Sequence, residues 1–556
     1  MDTEHLFVFA ARNAEIILSA EMSGETFHIL YLEHRKGGTC MHTLRIPLDV
    51  HGREREIERR FNAINHIHNV CVSYMQKQME KLGRDREYQA MLDFYVAAKT
   101  EAERIAMLEK PSKLERHALR DLKNITKVLS ANLTAHRDSL NLSKAALESY
   151  IKVCGKQFKK LVSSQQVQTE ADRVWRGVEK CLFGKGHMIH YQKRQDLASI
   201  SGKSNVNGAK FDVSSMTVEW NGLTLSCIVR KKRAAYVATS LNGKVSYCEI
   251  NRKMFPSGWR YYANLYIQGD TVSGNRKAGH GDMGIDPGVS TIAATGESEL
   301  FLEELAPRVP EYNKQILELQ YRMEASRRDM NPGKYNPNGT INRKNKDRWI
   351  FSKGYKRLWQ KLRTVYRKKT AYIRQSHEEL TNRLLAAASV ITIEHMEYKA
   401  LQKRAKNTER QETSSTVKQK DGSTKTVFKF KKKKRFGRSL NNRAPAECIT
   451  ILKRKAAMLG VTVREANTVT YKASQYDHTT GECTKVPLNV RFKEIDGHRV
   501  QRDLYSSFLF QNPEKDLKHP DQQKCKARFE NFLKLHDELI ARMQSEGKSM
   551  RQCFGF

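Results

Sequence analysis

Three acidic residues in this sequence stand at positions where a fold can gather side chains into one site. Asp286 lies between an apolar run and a Pro-Gly pair, which predicts the end of a strand that enters a tight turn. Glu394 follows the β-branched run of residues 388–393, which predicts a buried strand. Asp503 opens an apolar stretch that contains two serines, and this pattern favours the start of a helix.

Three carboxylates brought together can hold divalent metal ions. Hydrolysis of a phosphodiester bond needs an activated water and a stabilised leaving oxygen, and two Mg²⁺ ions about 3.5–4 Å apart supply both. Mg²⁺ prefers oxygen ligands and retains several waters, so three carboxylates suffice. We assign Asp286 to bridge both ions, while Glu394 on a neighbouring strand and Asp503 on an adjacent helix each complete one. None of the three is expected to act primarily as a general base.

Each acid taken alone also has a purely structural interpretation. An Asp-Pro-Gly segment is common in plain hairpin turns. A Glu after a buried strand is often the first solvated residue, and an Asp that opens a helix often caps it. The occurrence of all three in so basic a chain favours the metal site.

The composition favours a nucleic-acid partner. A chain of 556 residues is too long for one core, so about two to four domains are expected. It has 99 Lys and Arg against 61 Asp and Glu, a net charge of +38. A surplus of this size repels itself unless a polyanion relieves it, and nucleic acid is the polyanion we expect.

The sequence does not favour a membrane partner. No apolar run is long enough to span a bilayer, and no amphipathic anchor or lipidation signal stands out. Asp2 and Glu4 replace the basic start of a signal peptide, so we expect a cytoplasmic protein. The ten Cys include no Cys-x-x-Cys pair, which is typical of reduced structural thiols.

The N-terminal half alternates between β and helical patterns. Residues 1–51 predict short strands, residues 52–183 predict amphipathic helices, and residues 184–280 predict strands again. This order favours a small β-barrel interrupted by a helical insertion. The individual strand predictions are residues 6–9, 27–32, 43–46, 217–220, 223–229, 235–238 and 261–267.

The C-terminal half surrounds the three acids with helices. Long polar helices are predicted over residues 302–385, with a Gly, Pro and Asn break at 331–342. A further helix is predicted over residues 445–459, followed by a strand at 461–464.

A basic segment at residues 403–438 lacks the pattern of a folded element. It is rich in Ser, Thr, Gln and Lys, and it ends in the run Lys431, Lys432, Lys433, Lys434 and Arg435. Two interpretations stay open: a solvated loop, or a flap that binds phosphates and becomes ordered on nucleic acid.

The acidic motifs resemble those of a known nuclease family. The segment Gly284-Ile285-Asp286-Pro287-Gly288, the pair Ile393-Glu394 and the segment around Asp503 resemble the three motifs of a RuvC-like nuclease, an RNase H-type fold. The order of elements resembles the TnpB-type nucleases encoded by transposons and the related type V CRISPR effectors. Val174-Trp175-Arg176 and the segment of residues 182–186 also resemble the N-terminal half of this family.

The resemblance implies a multidomain α/β and α+β protein that cuts DNA under the direction of RNA. A guide RNA would pair with one strand of double-stranded target DNA, and the protein would read a short flanking motif. One or two copies of the chain would bind each RNA, in the prokaryotic cytoplasm at the nucleoid. The implied domains are a β-barrel wedge domain in residues 1–51 and 184–280, a helical recognition lobe in 52–183, and a split RuvC-like nuclease in 281–473 and 500–556.

The segment of residues 474–499 departs from the family pattern. Family members often carry a four-Cys zinc ribbon between the second and third acids, whereas this segment has His478, Cys483 and His498. These are too few and too irregularly spaced for a closed tetrahedral site, so we expect the ribbon's place to be kept without zinc. Some relatives have an Arg here that assists catalysis, and Arg491 is the candidate, although a surface salt bridge explains it equally well. The third motif also lacks an Asn that many relatives have after the small residues.

Three other functions remain open at this stage. The first is an RNA-guided DNA-binding protein that does not cleave, against which the presence of all three acids argues. The second is an unguided RuvC-fold enzyme such as a resolvase or a transposase-associated protein, which has no need of a large basic helical insertion. The third is an RNA-binding or scaffold protein whose acids are structural.

Overall fold

The computed structural model describes the chain as two compact units. It describes residues 17–22, 25–30, 41–108, 111–184, 186–269, 276–402, 414–418, 424–427, 437–485, 487 and 490–548. One unit comprises residues 34–272, and the other comprises residues 1–33 together with 273–556. Both mix helices and strands. No helix among the described residues combines the length and the apolar character needed to cross a membrane.

Helices dominate the first part of the unit of residues 34–272, as the amphipathic pattern predicts. Two of them begin with capping boxes, in which Ser112 pairs with Glu115 and Ser163 pairs with Gln166. The strands β1 (Ile17–Met22) and β2 (Glu25–Leu30), which form an antiparallel pair, precede this unit. Its helices are α1 (Glu54–Arg84), α2 (Arg86–Ala106), α3 (Lys113–Ser139), α4 (Lys144–Gly155), α5 (Ser164–Leu182) and α6 (Ala234–Ser240).

The strands of this unit form two antiparallel sheets. One has the order β3–β9–β8–β4 and the other the order β5–β6–β7. The strands are β3 (Met41–Pro47), β4 (Ser199–Ser201), β5 (Ala209–Asp212), β6 (Thr217–Trp220), β7 (Leu223–Ser226), β8 (Val245–Phe255) and β9 (Gly258–Gln268). Among the described strands, hydrogen bonds do not close these sheets into one ring, so the barrel stays a prediction.

One strand prediction in this unit is wrong. Residues 235–238 lie within α6 and not in a strand. The segment has three Ala between residues 234 and 238, and Ala has the highest helix propensity. Val237 is buried and its neighbour Tyr236 is exposed. A helix produces this pattern of burial as readily as a strand does.

A mixed sheet lies at the centre of the unit that contains residues 273–556. Its order is β12–β11–β10–β13–β16, with β13 parallel to both β10 and β16 and β11 antiparallel to its two neighbours. The strands are β10 (Asp282–Pro287), β11 (Thr291–Thr295), β12 (Leu300–Glu304), β13 (Val390–Glu394), the separate pair β14 (Ser415–Lys418) and β15 (Thr424–Val427), β16 (Thr462–Ala466), and the hairpin β17 (Phe492–Ile495) and β18 (His498–Gln501).

Helices cover both faces of this sheet. One apolar cluster joins β10 and β13 to α8 and α11, and another joins β11 and β12 to α13 and α14. Both faces of the central strands are therefore buried, which explains their nearly continuous apolar sequences. The helices are α7 (Val309–Met330), α8 (Lys353–Ala386), α9 (Tyr398–Gln402), α10 (Gly437–Arg443), α11 (Pro445–Leu459), α12 (Thr468–Tyr471), α13 (Arg502–Gln511) and α14 (Gln522–Ser545).

Candidate active site

Asp286 and Glu394 stand at the ends of two neighbouring parallel strands. In the pairing of β10 with β13, Ile285 lies opposite Ile393. The next residue on each strand is the acid, so Asp286 and Glu394 reach the same edge of the sheet side by side. Ile285 and Ile393 are buried, which fixes the register of both strands and hence the positions of the acids.

The two carboxyl groups share a hydrogen bond, and we call them the acid pair. Burial and the nearby carboxylates of Glu394 and Asp503 raise the pKa of Asp286 well above its usual value. Burial also raises the pKa of Glu394, against hydrogen bonds from Asp286 and Thr468 that lower it. The acid pair is thus a place where the fold concentrates negative charge.

Close backbone contact brings the third acid to the same region. The helix α13, which begins with Arg502 and Asp503, packs against β10. A Cβ atom on Gly284 would lie 2.0 Å from the carbonyl oxygen of Ser507 and 2.1 Å from the amide nitrogen of Gln511. Only glycine therefore fits at this point of β10, two residues before Asp286.

Small and polar side chains hold α13 in this place. The hydroxyl groups of Ser507 and Thr295 lie 2.7 Å apart, which ties the helix to β11. At the start of the helix, the side chain of Gln501 accepts a hydrogen bond of 2.7 Å from the Leu504 N–H. The two serines that looked like small residues in the sequence thus serve the close packing of helix and sheet.

Two arginines surround the carboxylate of Asp503. An Nη1 of Arg491 lies 3.4 Å from Asp503 Oδ2, and an Nη2 of Arg502 lies 3.3 Å from Asp503 Oδ1. The Arg502 N–H also donates a 2.8 Å hydrogen bond to the Arg491 carbonyl, which aligns the two residues. We call these three residues the Asp503 group. It contrasts with the acid pair because its carboxylate already has cationic partners.

Sequence reasoning missed Arg502, although it directly precedes the third acid. Its side chain is nearly buried, and Nη1 donates a 3.0 Å hydrogen bond to the Val490 carbonyl. It therefore also supports the segment that carries Arg491. Its adjacency to Asp503 was visible in the sequence, but its hydrogen bond to residue 490 depends on the tertiary fold.

Other polar groups missed by sequence reasoning lie next to Glu394. The Nδ1 of His395 lies 2.7 Å from Glu465 Oε2, and Glu465 also forms an ion pair with Lys453. The Thr468 hydroxyl donates a 2.7 Å hydrogen bond to the His395 carbonyl. These contacts fix the backbone directly after Glu394.

Tyr398 contributes a buried hydroxyl group close to the acid pair. Burial, together with the charges of Cys448, Asp286 and Glu394, raises the pKa of this tyrosine. In the part of the chain that the structure describes, its hydroxyl group has no hydrogen-bond partner. A buried hydroxyl without a partner is costly, so this one is free to donate to a group that enters the site.

The residues suit Mg²⁺ in chemistry, but they are not assembled as a finished metal site. Their donors are carboxylate oxygens, which Mg²⁺ prefers, and a cation would offset the repulsion between the clustered carboxyl groups. Within the described ranges, however, no group of three or more His, Cys, Asp and Glu side chains is gathered closely enough to hold an ion. Asp503 is directed instead towards its two arginines.

In the segment of residues 474–499, His478 serves in packing. The Nδ1 of His478 lies 2.8 Å from the Tyr505 hydroxyl, and its ring packs among Phe508 and Phe529. Cys483 is exposed, and its backbone pairs with Tyr476. The segment also provides Arg491. The expectation that it binds no zinc stays a prediction.

The remaining predicted site residues, Lys431, Lys432, Lys433, Lys434 and Arg435, lie outside the described residues.

Comparison with known proteins found 23 similar chains among solved structures. No protein-family model and no curated protein sequence matches this chain. A cryo-EM structure of a Cas12f1–sgRNA–target DNA complex is similar at 12% identity and a TM-score of 0.40, over 85% of this chain and 99% of that chain. A CRISPR-Cas12f ternary complex is similar at 11% identity and a TM-score of 0.25, over the same shares. Both TM-scores are below 0.5, so neither comparison establishes a shared fold.

Proposed function

We propose that this protein is an RNA-guided DNA endonuclease that hydrolyses phosphodiester bonds of its target with Mg²⁺. The proposal rests on one observation: the acid pair lies close to the start of α13, where Asp503 is found. Rigid strand ends and a helix start are the elements that hold catalytic groups within narrow limits. The proposal assigns cleavage to this one site.

Asp286, Glu394 and Asp503 would hold Mg²⁺, with Asp286 between the other two. When bound, Mg²⁺ supplies the positive charge that activates water and stabilises the leaving oxygen. Asp503 already has two arginine contacts, so it would share its carboxylate between them and the ion. Arg491, which is more exposed than Arg502, would be released towards the substrate phosphate.

The RNA-guided part of the proposal rests on the motif resemblance and on charge. The net charge of +38 is larger than an enzyme that binds only a short DNA site requires. It suits a protein that binds a long RNA and a DNA strand together. Guide RNA and double-stranded target DNA are the partners we propose.

A second candidate function is RNA-guided DNA binding without cleavage. The ion pairs of Asp503 with Arg491 and Arg502 favour it, because they occupy the third carboxylate. The two candidates share guide and target and differ only in the fate of the bound DNA.

The test begins with the nucleic acid that accompanies the protein in its native locus. The protein is purified, and its bound RNA is extracted and sequenced. We expect a discrete RNA with a constant part and a variable end. A target DNA that matches the variable end, with randomised flanking sequence, is then incubated with the complex in Mg²⁺ or in EDTA.

Cleavage in Mg²⁺ and binding without cleavage in EDTA would support the endonuclease. Binding without cleavage in both conditions would select the second candidate. Absence of RNA, or a random mixture of RNAs, would contradict both guided functions.

A further inference from the structure

A cavity of about 140 Å³ lies at the edge of the larger sheet in the unit of residues 34–272. It opens beside β3, the terminal strand in the order β3–β9–β8–β4. The chain that follows β7 crosses this edge, because the Ile228 N–H donates a 2.8 Å hydrogen bond to the Pro47 carbonyl. The lining residues are Arg45, Ile46, Pro47, Ile228, Val229, Arg230, Arg233 and Val237.

The floor of this cavity is apolar. Ile46 and Val237 are buried, and Val229 and Pro47 are half-buried. Contact of water with such a floor is unfavourable, whereas a flat ring of low polarity would fit it. The volume is below the roughly 300–1,000 Å³ of pockets that hold a whole small ligand, so it suits a single ring system.

The rim of the cavity is strongly basic. Arg45, Arg230 and Arg233 line it, and Lys231 and Lys232 complete a run of four consecutive cations. All five side chains are exposed. Within the described ranges, none of the five forms an ion pair with an acid. Cations crowded together in this way favour a polyanionic ligand.

The arginines at the rim are held by neighbouring side chains. Arg45 Nε donates a 2.8 Å hydrogen bond to Asn264 Oδ1, and its guanidinium lies 5.4 Å from the centre of the Tyr262 ring. The guanidinium of Arg233 lies 5.7 Å from the centre of the Tyr236 ring. Aromatic rings beside cations are the groups that hold single nucleic-acid strands, by stacking on bases and by contact with phosphates.

We propose that this cavity holds one unstacked base of a single-stranded nucleic acid, with the adjacent phosphates on the arginines of the rim. The inference rests on the proposed function, because it supposes that the chain binds a nucleic-acid strand. It adds a specific base-binding point, in the unit of residues 34–272, that acts on the strand as an anchor.

Photocrosslinking to the full-length protein tests this directly. Single-stranded RNA and DNA of the same sequence, with photoactivatable thiolated bases, are bound to the protein, irradiated and mapped by mass spectrometry. We expect crosslinks in residues 228–233 or 45–47, with RNA, with DNA or with both. The nucleic acid that gives the stronger crosslinks, RNA or DNA, is the natural ligand of the cavity.

A cavity-filling variant separates the base from the charges. Val229→Trp fills the cavity and leaves every cation in place. We expect the crosslinks at the cavity to disappear and the affinity to fall roughly tenfold, the loss expected for one base that is no longer stacked. The melting temperature of the variant shows whether it still folds.

A variant that removes two exposed positive charges provides the second part of the test, on exposed side chains that do not affect folding. Arg230→Gln with Arg233→Gln should reduce the slope of log Kd against log salt by about 1.4, since each phosphate contact of a single strand contributes about 0.7. Lys526→Gln with Lys534→Gln removes the same charge from exposed positions of α14 and should leave the slope unchanged.

The outcomes separate this inference from the proposed function. Crosslinks elsewhere and none at the cavity, with guided cleavage intact, would overturn the base-binding site and leave the nuclease standing. Equal loss of slope in both charge variants would also overturn it. If neither oligonucleotide binds and anionic lipid vesicles bind instead, both proposals fail.

Discussion

The acid pair and the Asp503 group lie in one site but differ in how their negative charge is balanced. In the acid pair, Asp286 and Glu394 stand side by side, and burial raises the pKa of both. In the Asp503 group, the carboxylate lies 3.4 Å from Arg491 and 3.3 Å from Arg502. We therefore expect the acid pair to take up a cation from outside the chain, whereas Asp503 already has two cationic partners.

This difference indicates an order in which the site would be completed. A cation has most to gain at the acid pair, because there it offsets the repulsion between two buried carboxyl groups. At Asp503 it competes with two arginines. We therefore expect the acid pair to bind Mg²⁺ first and the Asp503 group to respond to it.

The largest expected effect on stability and cleavage comes from moving the Asp503 group away from the acid pair. Gly284→Ala would place a Cβ 2.0 Å from the Ser507 carbonyl oxygen, and backbone atoms cannot move aside cheaply. We expect the free energy of unfolding to fall by about 3 kcal/mol and cleavage to be lost, because α13 moves away from β10. Denaturant unfolding and a guided cleavage assay measure the two effects.

Gly354→Ala is the matched control. The nearest atom to its Cβ would be the Ser352 Oγ at 3.6 Å, an ordinary contact, and the residue lies in α8. It should be neutral or slightly stabilising. If the Gly284→Ala variant is as stable as the wild-type protein, then the packing of α13 on β10 does not position Asp503.

The second prediction concerns the cation that we expect the acid pair to bind. Mg²⁺ at about a hundred times its Kd should raise the free energy of unfolding by about 2.7 kcal/mol, provided that it binds only the folded chain. Glu394→Gln should remove this stabilisation, whereas Glu397→Gln, an exposed residue nearby, should keep it. Thermal unfolding with and without Mg²⁺ measures it. Stabilisation that survives in Glu394→Gln would place the ion elsewhere.

The third prediction separates the two arginines of the Asp503 group. Arg491→Gln should slow guided cleavage about tenfold without weakening target binding, because this partly exposed arginine would assist at the substrate and not hold the fold. Single-turnover cleavage and a binding assay measure the two quantities.

Arg502→Gln should behave in the opposite way. Its nearly buried side chain supports the Val490 carbonyl, so its loss should lower the free energy of unfolding by about 1–3 kcal/mol. If the two variants lose stability and activity alike, then the two arginines do not have distinct functions.

The smallest expected effect is a pH response that does not belong to the site. Burial lowers the pKa of His377 to about 4, while its Nε2 lies 2.9 Å from the Arg443 carbonyl. Since the unfolded histidine titrates near 6.5, protonation favours unfolding, and stability is lost as the pH falls from about 6.5 towards 4. At pH 5.5 the loss should be about 1 kcal/mol. His377→Gln should lack this step in a series of unfolding measurements.

The acid pair should respond to pH with the opposite sign. Its raised pKa values mean that its contribution to stability is present at low pH and is lost as the pH rises above the unfolded values near 4. Without Mg²⁺, the free energy of unfolding of the wild-type protein should therefore fall relative to that of Asp286→Asn as the pH rises, so the difference between them grows. A difference that instead grows towards low pH would contradict the account of the acid pair.

The strands and helices that carry the acids were predictable because their signals are local. The apolar runs before Asp286 and Glu394 gave both strand ends, and the register that places them side by side follows from buried isoleucines. The break at residues 331–342 falls between α7 and α8, as expected. The error at residues 235–238 arose because a short Ala-rich segment with Val and Tyr fits either structure.

The contacts that define the site were not predictable because they join residues far apart in sequence. Gly284 was read as part of a motif, but the reason for it is the backbone of residues 507–511. The Tyr398 hydroxyl group, which has no partner among the described residues, and the support of Arg491 by Arg502 likewise depend on the fold. Sequence patterns identify which residues could do the chemistry, whereas charge balance within the site requires the structure.

The most direct test of the account is single-turnover cleavage of guided target DNA by the wild-type protein, Asp286→Asn and Asp282→Asn. Both variants lose one carboxylate from β10, but Asp282 lies at the far end of the strand, 3.6 Å from Arg528. We predict that Asp286→Asn loses about a hundredfold or more of the cleavage rate with target binding intact, and that Asp282→Asn cleaves as the wild type does. Cleavage at the wild-type rate by Asp286→Asn would contradict the account.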